Sequence, residues 1–160
     1  MKTILITALY MSTFVSFSQE KLTINDFNDL LGDKWTGQLT YQSYSGDGEM
    51  SIPTNARFQI EEGQLIKITE YPEEPHANSR EEWKISQNPY TLNNEPILRV
   101  ESSKDGSTII QTEFMGEDKD REARMIREIY FNKRTLEITK HVEIIETGER
   151  FIRNKFSYIR

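Results

Sequence analysis

The sequence predicts an all-β fold: an antiparallel up-and-down β-barrel carrying a short N-terminal helix. Three observations lead there. The apolar residues favour strands, with 18 Ile, 8 Phe and 7 Tyr against 4 Ala, and 14 Thr besides. β-branched and aromatic side chains suit a pleated surface, whereas Ala suits helices. Most of the chain divides into alternating apolar and polar runs of about 6–10 residues, punctuated by turn chemistry. The intervals between runs are too short for the crossover helices that parallel pairing requires. Closing such a sheet buries one face and removes its exposed edges, and a two-sheet sandwich is the second choice.

The first 18 residues read as a secretory signal peptide. Lys2 supplies the positive start, Ile4 to Val15 is mostly apolar, and Ser16-Phe17-Ser18 places small residues where a signal peptidase reads them. Cleavage after Ser18 would leave one domain, residues 19–160, exported to a periplasm or to the outside. It would remove Lys2 and no acid, taking the net charge from −6 to −7. The apolar run is short for a membrane span, and no later stretch approaches about 18 apolar residues. A negative chain is repelled by nucleic acid and by anionic membrane, so neither is an expected partner. With no Cys there are no disulfides, thiolate metal sites or cysteine nucleophiles.

Thr23 to Gly32 reads as the helix. Phe27, Leu30 and Leu31 share a face, Thr23 or Asn25 can cap the start, and Gly32 can end it. Nine strands are expected after it. Trp35–Tyr44 is the first, closed by Ser45-Gly46-Asp47-Gly48. Residues 56–61 and Leu65–Tyr71 form a hairpin about Glu62-Gly63. Pro72 to Ser79 is a loop, and Glu82–Ser86 is a strand with Trp83 and Ile85 on one side. Ile97–Glu101 with Thr108–Met115, and Arg134–Ile145 with Glu149–Tyr158, complete two more hairpins. Asp120–Phe131 fits either a strand or a helix, and Ile129-Tyr130-Phe131 tips the reading to strand.

A short helix leading through Leu31-Gly32 to Trp35-Thr36-Gly37, a meander, and a final strand Phe156-Ser157-Tyr158-Ile159-Arg160 together resemble the lipocalin-like (calycin) small β-barrels, including bacterial secreted members. The resemblance implies that Trp35 plugs the closed end of the barrel and that a late Arg, Arg153 or Arg160, packs over it. Here Gly32 and Trp35 are one residue further apart than in the Gly-x-Trp of that family. The resemblance also implies a small apolar or amphipathic ligand in the open end.

The candidate lining follows from alternation. Tyr41, Phe58, Trp83 and Ile85 lie on the apolar sides of their strands and would either line a pocket or fill a plain core. Arg127 shares a side with Met125 and Ile129 if its segment is a strand. An inward Arg needs a partner, either an inward Glu or an anionic ligand group, unless it snorkels at the mouth. Lys67, between Leu65 and Thr69, poses the same question. Trp35 is either a ligand platform or a structural plug. His76 and His141 read as surface residues, with haem ligation as the alternative. Asp118, Asp120 and Glu122 are spaced like part of a calcium loop but lack its Gly. Nothing in the pattern calls for a cofactor, a metal or a catalytic group. The expected function is an exported binding protein holding an apolar or amphipathic, in one variant anionic, small molecule. A filled envelope module that binds protein or glycan is the alternative, followed by a haem protein or an isomerase at the barrel mouth.

Overall fold

A computed structural model describes residues 21–43 and 48–160. The segment read as a signal peptide lies outside them, as do Ser45, Gly46 and Asp47 of the first turn. Eleven strands follow one another: β1 (Trp35–Gln42), β2 (Glu49–Glu61), β3 (Gln64–Glu70), β4 (Ser79–Trp83), β5 (Ile85–Gln87), β6 (Tyr90–Leu92), β7 (Glu95–Ser102), β8 (Thr108–Asp118), β9 (Arg121–Phe131), β10 (Thr135–Ile144) and β11 (Arg150–Ile159). They form one antiparallel sheet in the order β4-β3-β2-β1-β11-β10-β9-β8-β7-β6-β5. The pairing of β1 with β11 curls the meander into a nearly closed barrel. The remaining seam lies between β4 and β5, where Lys84 alone joins the two strands.

The strands number eleven rather than nine for local reasons. The expected strand Glu82–Ser86 is split at Lys84, whose backbone is held by Asn93: Lys84 N–H donates to the Asn93 side-chain oxygen at 2.8 Å, and Asn93 N–H donates to the Lys84 carbonyl at 2.8 Å. Trp83 and Ile85 therefore sit on opposite sides of the seam. Tyr90–Leu92 adds a short strand of its own. β2 starts at Glu49 rather than 56, because Pro53 lies in the half of β2 that β3 does not reach. A proline without a ladder partner on that side costs the sheet nothing. Residues 121–131 are a strand, as the Ile-Tyr-Phe run suggested.

The N-terminal helix is a 3₁₀ helix, Ile24–Leu30. Phe27 and Leu30 are both fully buried, and their i, i+3 spacing suits three residues per turn. Leu31 is already extended, so the expected three-residue face becomes a two-residue one. The Asp26 carboxylate fixes the start by accepting from the Thr23 N–H at 2.6 Å and the Thr23 hydroxyl at 2.9 Å.

The helix rests on the main core. Phe27 stacks on Phe131 at 5.8 Å and meets the Trp83 ring edge-on at 5.8 Å, and Trp83 in turn meets Phe58 edge-on at 5.3 Å. Each such buried aromatic contributes about 1.5–3 kcal/mol of burial. Trp35 is wholly buried in the same cluster. Its indole N–H donates to the Leu30 carbonyl at 3.0 Å, and the Arg160 guanidinium covers its ring at 4.4 Å. Arg160, not Arg153, is therefore the arginine over the plug. A smaller cluster of Ala123, Met125, Val142 and Ile144, with Phe114 and Phe151 against it, packs at the other end of β8–β11.

Candidate functional site

A polar layer lies between these two clusters. The register places five inward side chains in one row across β1, β11, β10, β9 and β8: Tyr41, Asn154, Lys140, Arg127 and Thr112. The neighbouring row on the helix side is apolar, with Leu39, Phe156, Ile138, Ile129 and Ile110. The row on the other side of the polar layer carries Phe151, Val142, Met125 and Phe114. The layer is reached by solvent: Arg127 keeps 31% of its side chain exposed and Glu95 14%.

A β-bulge adds another cation to the interior. Lys140 opposes Asn154 and His141 opposes Ile152, so Arg153 is the extra residue on β11. Such a bulge re-aims a side chain, and Arg153 turns inward with only 5% exposed. It pairs with Asp118 at the end of β8, donates to the Gln42 carbonyl at 3.3 Å and stacks on Phe151 at 4.8 Å.

The interior cations are unequally provided for. Arg127 lies 3.0 Å from one Glu95 oxygen, while the Thr112 hydroxyl donates to the other at 2.6 Å. This inward Glu is the partner that an inward Arg127 requires. The Lys67 ammonium, 5% exposed, lies 3.7 Å from the Glu81 carboxylate and 4.7 Å from the Phe156 ring centre. Burial pushes its pKa down, the Glu81 charge opposes that, and Arg127 adds to it. Among the described residues no carboxylate forms an ion pair with Lys140. Its ammonium stands 5.7 Å from the Phe114 ring, which Arg127 also faces at 5.8 Å. Burial lowers the Lys140 pKa, and Arg127 beside it lowers it further.

The sequence-derived candidates fall into two groups. Tyr41, Met125 and Arg127 border the polar layer. Tyr41 is at the rim, its hydroxyl donating to the Met50 sulfur at 3.8 Å. Phe58 and Trp83 belong to the packed core beneath the helix, with Ile85 packed against it. Glu95, Thr112, Lys140 and Asn154 were not singled out. Lys140 was legible: Leu136, Ile138, Val142 and Ile144 all face inward, and Lys140 falls on the same alternation. Asn154 was not, because the Arg153 bulge breaks the parity of β11.

His141 lies on the outside, in a groove of about 370 Å³ shared with Arg124, Ile126, Glu143, Arg150 and Ile152. The cations of that groove are already engaged. Arg124 pairs with Glu113 and Glu143, and Arg150 pairs with Glu143. His76 sits in an exposed 3₁₀ turn, Pro75–Ala77, well apart in the sequence. Asp118 is taken by Arg153, and Lys119-Asp120 forms the β8–β9 turn.

Fold and layer together define a class: a nearly closed up-and-down barrel with a charged stratum inside. The chain is similar to the crystal structure of a protein with unknown function from the DUF3598 family of Nostoc punctiforme, with a TM-score of 0.50 and 15% sequence identity. The match covers 89% of this chain and 51% of that one, so the chain spans about half the length of its structural neighbour. At this identity the likeness concerns the fold alone. No protein-family model matches the sequence, and no curated protein does. The barrel implied by the lipocalin-like resemblance is present, while membership of that family is carried by none of these comparisons. Among the described residues no helix is long and apolar enough to cross a membrane.

Proposed function

We propose that this protein holds a small amphipathic anion inside the barrel, with its head group in the polar layer and its apolar part against Phe114 and Met125. One observation carries the reading. Arg127 and Lys140 are directly opposed across β9 and β10, both facing inward. Like charges placed opposite one another destabilise a sheet. An anion between them converts that repulsion into attraction. The chain as a whole has 26 acids against 20 Lys and Arg, so gathering cations inside runs against its general charge. The reading includes export, supported by Lys2 and the apolar run Ile4–Val15.

Titration with dansyl-undecanoic acid tests it. Binding would enhance and blue-shift the dansyl emission, and unlabelled decanoate would reverse the change. Unchanged emission across the titration would end the proposal.

A further inference from the structure

The interior charges can be paired off one against one. Lys67 has Glu81, Arg127 has Glu95 and Arg153 has Asp118. Among the described residues Lys140 is left over. It is half-buried, faces the layer, and has a second cation rather than an acid as its neighbour on β9. The geometry points to Lys140, not Arg127, as the seat of the head group, and to a ligand carrying a single negative charge. Arg127 then acts as a positioning residue: held by Glu95, which Thr112 fixes in turn, it presents its positive field without swinging onto the anion. A monoanion such as a carboxylate brings the layer to neutrality. A phosphate monoester brings a second charge, which would have to be met by drawing Arg127 away from Glu95 and leaving that carboxylate without its partner. Burial and the Arg127 charge hold the Lys140 pKa down, and the more distant Asp118 and Glu95 carboxylates oppose them without forming an ion pair with it. This inference rests on the anion binding proposed above.

Calorimetric titrations with decanoate, decan-1-ol and decyl phosphate at about pH 8 separate the two proposals; the phosphate is then a dianion. Wild-type protein is expected to bind decanoate about tenfold more tightly than decanol, the worth of one charge-assisted hydrogen bond, and more tightly than decyl phosphate. Lys140→Met should erase the preference for decanoate over decanol. Lys140→Arg should restore the preference. A preference for decyl phosphate overturns the inference, as does an unchanged decanoate-to-decanol ratio in Lys140→Met. Absence of binding by all three compounds overturns the proposed anion binding itself.

Discussion

Lys67 holds an ammonium in the barrel wall with one acid, Glu81, half in water beside it. Burial dominates its environment and lowers its pKa. The folded state therefore binds the proton less readily than the unfolded chain. Below the folded pKa that difference is a full penalty on folding, and it fades as pH climbs toward the unfolded value of about 10.4. Lys67→Met should remove the penalty without stranding Glu81, raising stability at about pH 7 by about 1 kcal/mol, or 2–4 °C in melting temperature. Thermal melts from about pH 7 to about pH 10 should also show less gain with pH in the variant than in wild type. A lower melting temperature would instead mean that the contact with Phe156 outweighs desolvation. At this scale Arg127 was readable, because alternation with Met125 and Ile129 put it inside and electrostatics then demanded a partner. Which acid would answer was not readable: Glu95 comes from a strand 32 positions earlier in the chain, and only register brings the two together.

The strands owe their arrangement to turns and to one close approach. Glu62-Gly63 and Asn93-Asn94 both adopt left-handed backbone at two successive residues, the conformation that tight hairpins require, and both pairs announce it in their chemistry. Lys119-Asp120 does the same without an Asn or Gly, so the β8–β9 turn was the hardest to foresee and left Asp120–Phe131 ambiguous. The close approach is at Gly37. A Cβ there would run into the Ser157 carbonyl, a backbone atom of β11 that cannot step aside while β1 and β11 remain paired. Gly37→Ala is expected to cost about 3 kcal/mol, the upper end for overpacking, read as a fall of roughly 10 °C. A melting temperature within about 2 °C of wild type would show that the closing pair of strands is slack.

For the molecule as a whole, stability is unevenly spread. β8, β9 and β10 are long strands, each hydrogen-bonded on both sides, and they carry residues of both apolar clusters. β4, β5 and β6 have three to five residues each, with β4 and β5 bordering the seam and β6 next to β5. Local opening follows the same gradient. Amide exchange followed by mass spectrometry should find the slowest amides in β8–β10 and the fastest strand amides in β4–β6. Uniform protection around the barrel would contradict this. The barrel itself was legible because strand composition and hairpin punctuation repeat along the chain. The seam was not, since it depends on two hydrogen bonds between Lys84 and Asn93 that no periodicity announces.

That seam has a topological consequence. β11 lies beside β1, and the circle is interrupted only where Lys84 passes from β4 to β5. If the chain were joined from β11 to β1 and cut at Lys84, every bonded pair of strands would be consecutive in the rearranged polypeptide. The closing contact, now the most distant in sequence, would become an ordinary neighbour, and the protein would be a single uninterrupted ribbon rolled once around its own charge.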